Sequence, residues 1–136
     1  MALAQIRAGL TGRTSLVVRS QDLASAYGNP GVEVLSSMTL MTLLEQACLA
    51  CLEGLLGPEQ MCVGARMEMD HLAPTPEGFT VSAQAELQEV QGRKLVFAVS
   101  AHDGVDQVAR AVHVRYIVDR QKFMASVAQK AAKGES

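Results

Sequence analysis

The sequence predicts an α+β chain in which an antiparallel sheet wraps around one long helix. Two features carry that expectation. A nearly all-round apolar segment runs from Ser36 to Leu56, and it is followed by runs of alternating apolar and polar residues with glycine-containing breaks between them. A helix that is apolar on every side lies either in a membrane or at the centre of a wrapped fold. Runs with period two are strands with one buried face.

The elements follow in order. Residues 12–19, rich in β-branched side chains, predict a first strand. Gly28-Asn29-Pro30-Gly31 breaks regular structure and marks an exposed turn or flap. Serines at the front of the apolar segment can cap a helix, and Gly57-Pro58 ends it. Glu45, Gln46 and Glu53 within the segment would be costly in lipid, which favours an enclosed helix over a membrane span. Phe79, Val81, Ala83, Ala85 and Leu87 alternate with polar residues, and Leu95, Phe97, Val99 and Ala101 repeat the pattern. Gln91-Gly92 and Asp103-Gly104 supply hairpin turns between the runs. A last strand over 107–118 carries Val112, Val114 and Tyr116 on one side and His113 and Arg115 on the other, where solvation is the simplest fate of the polar pair. Residues 119–133 predict a polar helix with a frayed tail.

One strand, a long apolar helix and a meander of three or four strands make the hot-dog arrangement. A chain of 136 residues suits a single domain spanning 1–136, with an ordered core over about 12–130 and short tails. So small a sheet leaves an exposed edge, so a homodimer or higher homo-oligomer is expected. Aromatic residues are 4% of the chain while hydrophobic ones are 49%, so the core must be aliphatic. The formal charge of -2 gives no basic face, which argues against nucleic acid as a partner. The N-terminal residues lack the features of an export signal, so no membrane association and a cytoplasmic location are expected.

Cys48-x-x-Cys51 raises a redox or zinc reading, but it lies in an apolar helical run with no second cysteine pair or histidine pair to complete four ligands. Buried thiols and no metal are expected. Glu45 is a carboxylate among Leu43, Leu44, Ala47 and Cys48, and an acid so placed demands a partner, such as Thr42 one turn earlier. His71 lies before Pro74 and Pro76, where an imidazole can activate water; it is equally an ordinary loop histidine with Asp70 as its salt partner. Ser37 opens the helix, where a hydroxyl is first of all a cap, although the same helix end could polarise a carbonyl. His102 reads as hairpin surface.

Several motifs share an order and spacing: Glu45 with Ala47-Cys48, His71 with Thr75-Pro76-Glu77-Gly78, Glu86-Leu87 before Val90-Gln91-Gly92-Arg93, Ser100 to Asp106, and Lys122-Phe123. Together they make the chain, from about residue 12 to residue 130, resemble the fluoroacetyl-CoA thioesterase family of hot-dog enzymes. The resemblance implies hydrolysis of an acyl-CoA thioester, with coenzyme A as part of the substrate and no separate cofactor. It also implies catalytic roles for Ser37, Glu45 and His71, a close-approach glycine at Gly64 and a substrate-binding arginine at Arg115. The chain departs from the pattern in two places. Ser37 stands where the family has a threonine, and Tyr27-Gly28-Asn29-Pro30-Gly31 stands where fluoroacetyl-selective members carry phenylalanines. A short- or medium-chain acyl group is therefore expected. The alternatives are a non-catalytic acyl-CoA or acyl-carrier binding module and a hot-dog hydratase. Eight residues of helix rise about 12 Å, so Ser37 and Glu45 cannot bond to each other on one straight helix. A later helix start, a substrate lying between them or a group from a neighbouring subunit would each resolve this.

Overall fold

The computed structural model describes residues 5–134. Strand β1 (Thr11–Val17) leads through short 3-10 turns to helix α1 (Ser37–Ala50), followed by β2 (Gln60–His71), β3 (Thr80–Gln91), β4 (Lys94–His102), β5 (Gln107–Asp119) and helix α2 (Arg120–Gly134). The strands form one antiparallel sheet in the order β1-β3-β4-β5-β2. The predicted meander is β3-β4-β5, with β1 and β2 added as opposite edges. Gly92 (φ 62°) and Gly104 (φ 91°) take the left-handed conformation that both hairpins require.

The curled sheet holds α1 on its inner face, chiefly against β1 and β3. Leu40, Leu43, Leu44, Ala47 and Cys48 of the helix meet Val81, Ala83, Ala85 and Leu87 of β3 and Leu95, Phe97, Val99 and Ala101 of β4 in one core. Their spacing of three and four residues in the helix and two in the strands is what brings them to a common layer. Gly12 lets β1 lie directly on the helix, since a Cβ there would run into the Ala47 carbonyl oxygen.

One expectation is corrected. The helix ends at Ala50 rather than near Leu56, because Cys51, Leu52 and Leu55 close i to i-3 turns onto Cys48, Leu49 and Leu52. As expected of so small a sheet, the helix keeps an open side within this chain: Met38 is 60% exposed and Leu49 is exposed. One five-stranded sheet covers a single helix face. Among the described residues no helix is long and apolar enough to cross a membrane.

Candidate active site

Two polar clusters lie along α1. At its first turn, Ser36 is the cap, its Oγ accepting from the Thr39 N–H at 3.0 Å. That corrects the expected capping role of Ser37, which is instead the first helical residue. Relieved of capping, its Oγ stands 2.8 Å from His71 Nδ1. His71 ends β2, where Leu72 N–H donates to the Val108 carbonyl at 2.8 Å and fixes the backbone. The other ring nitrogen, Nε2, is buried without a hydrogen-bond partner among the described residues. Such an orphan is costly and marks where an incoming polar group would be satisfied. Burial holds the His71 pKa below its ordinary value, against an opposing backbone hydrogen bond at Ala73, so the imidazole is neutral and available as a base. Asp70 is not its salt partner; it points away and pairs with Arg110 at 3.3 Å.

The second cluster surrounds Glu45, whose side chain is 43% exposed. Its partner is not Thr42, which donates to the Met38 carbonyl instead. Arg115 Nη1 donates to Glu45 Oε2 at 2.9 Å, while Nη2 donates to the Cys62 carbonyl at 2.8 Å and Nε to Cys62 Sγ at 3.1 Å. His113 Nε2 lies 3.2 Å from Arg115 Nη1 and 3.6 Å from Glu45 Oε2. His113 and Arg115 were expected on the solvated face of β5. They are 2% and 5% exposed, and Val112 and Tyr116 face outward instead. The acid on α1 supplies the partner that makes burial of Arg115 tolerable.

Strand β2 brings both clusters to one side. His71, Met69 and Met67 pair with Ala109, Ala111 and His113, and a bulge between Gly64 and Arg66 then sets Gly64 opposite Arg115. The extra residue moves Gly64 onto the face that strict alternation would give to Ala65. A Cβ on Gly64 would lie 3.1 Å from Glu45 Oε2 and 3.2 Å from Arg115 Nη1. The absent side chain leaves room for the Glu45–Arg115 pair against β2. Because α1 begins at Ser37, a later helix start does not bridge Ser37 and Glu45, which stay about 12 Å apart along the axis.

Sequence reasoning missed a third group. Thr75, fully buried, donates its hydroxyl to Asp103 Oδ2 at 2.9 Å, and its carbonyl accepts from Leu35 N–H at 2.8 Å. Asp103 Oδ1 also accepts from the Val105 and Asp106 amides. Burial opposes its charge, but the Asp106 and Val105 amides and the Thr75 hydroxyl together hold the carboxyl below its ordinary value. This tie joins the β4–β5 hairpin to the loop after His71 and to the entry of α1. Asp103 was read only as a turn residue; an Asp-Gly turn followed by Asp106 was the available signal.

Cys48 and Cys51 are buried thiols. Desolvation pushes Cys48 up to about 12 and Cys51 up to about 11, so neither is a thiolate at neutral pH. A depression of about 490 Å³ lies elsewhere, on the outer sheet face between Arg13, Gln84 and His102. His102 there is engaged with the Gly104 N–H. The lining of the depression holds no acid to match the one on α1.

A model of the fluoroacetyl-CoA-specific thioesterase family matches residues 18–121. The fluoroacetyl-CoA thioesterase of Streptantibioticus cattleyicolor is 39% identical over 102 residues, 75% of this chain and 73% of that protein. A solved threonine-to-serine mutant of a fluoroacetyl-CoA thioesterase, in complex with acetyl-CoA, superposes with a TM-score of 0.85 at 34% identity, covering 92% of this chain and 98% of that one. A hot-dog-like protein from Thermanaerovibrio acidaminovorans, at 23% identity, shares the fold with a TM-score of 0.84 over 90% of this chain and 91% of that one. By the extent of the family match and the identity to its curated relative, this chain belongs to the fluoroacetyl-CoA-specific thioesterase family.

Proposed function

We propose that the protein hydrolyses a short- or medium-chain acyl-CoA thioester to the free acid and coenzyme A. The observation that carries this reading is the Ser37–His71 contact at the start of α1, with its buried, unpartnered ring nitrogen. The helix N-terminus and the Ser37 hydroxyl orient the thioester carbonyl and favour the charge that develops on its oxygen. Glu45 directs water to the carbonyl carbon, or attacks it to form an acyl-glutamate anhydride that water then opens; in the direct route His71 takes a proton from the water and passes it to the departing sulfur. The C–S bond breaks and coenzyme A leaves as the thiol. Gly64 keeps the approach open, and Arg115 holds the acid from below rather than meeting solvent.

The relatives are named for fluoroacetyl-CoA, but this chain has a different flap. Tyr27 is half exposed and its Oη accepts from the Thr39 hydroxyl at 3.2 Å, a polar tether to α1. We therefore assign a short or medium acyl group without selectivity for fluorine. The working unit is a homodimer or higher homo-oligomer, supported by the edge position of β2 and by the exposed Met38 and Leu72 beside it. Antiparallel pairing of two β2 edges about a twofold axis would run the two α1 helices in opposite directions. The Ser37–His71 end of one subunit would then approach Glu45 of the partner subunit and close the 12 Å gap of about two helical turns. We place the enzyme in the cytoplasm, as a single domain without a resident cofactor.

The test is release of free thiol from a panel of acyl-CoAs of increasing chain length. Thiol release with acetyl-CoA or a longer straight-chain substrate supports hydrolysis. Binding without thiol would favour an acyl-CoA or acyl-carrier binding module, and consumption of an unsaturated acyl-CoA without thiol would favour a hydratase.

A further inference from the structure

We propose that His113 is a positioning residue: as a neutral imidazole it aims the Arg115 guanidinium and thereby sets the direction of the Glu45 carboxylate. The inference rests on the hydrolytic reading above and concerns a residue to which that reading gives no role.

The tautomer follows from two neighbours independently. A guanidinium only donates, so the 3.2 Å contact with Arg115 Nη1 makes His113 Nε2 an acceptor. A carbonyl only accepts, so the 2.7 Å contact with the Arg66 oxygen makes Nδ1 the donor. Both contacts demand the same form, with the proton on Nδ1. The ring is 2% exposed and is flanked by Phe97 at a centroid distance of 6.3 Å, which leaves it little freedom to rotate.

The consequence runs outward from the ring. Arg115 Nη1 has two protons; one goes to His113 Nε2 and the other to Glu45 Oε2. The remaining fork is fixed on the Cys62 carbonyl and sulfur. With the guanidinium plane set in this way, the carboxylate is gripped through Oε2, the oxygen beside Gly64, and its direction decides where Oε1 points. The Arg66 carbonyl that orients His113 belongs to the β2 bulge, so the feature that brings Gly64 to this face also fixes the imidazole. Protonating His113 would turn Nε2 into a donor facing Arg115. Burial, which lowers its pKa first, and the neighbouring guanidinium both work against that, while the Arg66 carbonyl and Glu45 work for it.

The test compares three substitutions. His113→Gln keeps an acceptor near the Nε2 position, His113→Asn keeps only a donor near Nδ1, and His113→Phe keeps neither. With acetyl-CoA as substrate, the Phe and Asn variants should lose roughly tenfold to a hundredfold in kcat with little change in KM, as for a misaimed catalytic group. His113→Gln should recover most of what His113→Phe loses. A ¹⁵N NMR spectrum of the wild-type protein should show His113 protonated on Nδ1 alone through the range where an ordinary histidine titrates. An Nε2-protonated ring would overturn the proposal whatever the kinetics. So would a folded Gln variant as slow as the Phe variant. A folded wild type that releases no thiol defeats the hydrolytic reading and, with it, the positioning role, whereas the NMR result still reports separately on the His113–Arg115 geometry.

Discussion

The two polar clusters along α1 are built in opposite ways. At the Ser37–His71 end the groups are neutral, one hydrogen bond joins them, and a buried nitrogen is left over. At the Glu45 end an acid meets a guanidinium that spends its donors on four acceptors at 2.8 to 3.2 Å. The first is under-satisfied and therefore poised to bind. The second is over-determined and therefore suited to hold a carboxylate in one direction. A thioester hydrolase needs both properties, a base that can accept and release a proton and an acid that does not wander. The structure keeps them apart on one helix rather than fusing them into a single network.

Removing one member from each cluster should have the largest effect. Glu45→Gln and His71→Ala should each lower kcat at least about a hundredfold. If both act on one thioester, the double variant should lose little more than either alone. Multiplying losses would mean that the clusters serve separate events. Next in size is the tie behind His71. Asp103→Ala leaves the Thr75 hydroxyl and two amides without their acceptor, and should cost about 2–3 kcal/mol in chemical denaturation. An unchanged midpoint would show that the loop after His71 does not depend on it. Ser37→Ala should be milder, about tenfold in kcat, because the helix N–H groups still meet the carbonyl oxygen. A loss as large as that of His71→Ala would instead make the hydroxyl the central group.

The smallest effect is on pH. The His71 pKa is lowered by burial, so its neutral, active form persists below the ordinary value of about 6.5. The profile of kcat/KM should therefore stay level at that pH and fall only as pH drops through the lowered value. An acid limb centred above the ordinary value would contradict the assignment. Stability moves the same way. The unfolded chain takes up the proton first, so the contribution is full above the unfolded value and is lost as pH falls toward the folded one.

Much of the fold was legible because the relevant patterns are periodic. Leu40, Leu43, Leu44, Ala47 and Cys48 share a helix face, and Val81 to Leu87 and Leu95 to Ala101 share strand faces. Ser37, Glu45 and His71 stood out as polar groups in unusual settings. What the sequence hid was non-periodic or polar on the inside. Val112, Val114 and Tyr116 suggested the buried face of β5, yet Arg115 and His113 take the inner positions because Glu45 across the core pairs with the guanidinium. The bulge in β2 leaves no pattern in residues 60–71, and it decides whether Gly64 or Ala65 meets the acid. The apolar run through Leu56 concealed the helix end at Ala50, since 3-10 turns bury leucines as readily as an α-helix does. Two adjacent serines could not be told apart as cap and contact until Thr39 was placed.

On this reading the thioester binds at the face shared by α1 and β2. A structure with an unreactive acyl-CoA analogue bound tests it most directly. The carbonyl should lie within hydrogen-bond reach of Ser37 Oγ or His71 Nε2, with a Glu45 carboxylate from the same or the partner subunit beside the carbonyl carbon. An analogue seated on the outer sheet face, with its carbonyl near neither cluster, would contradict it.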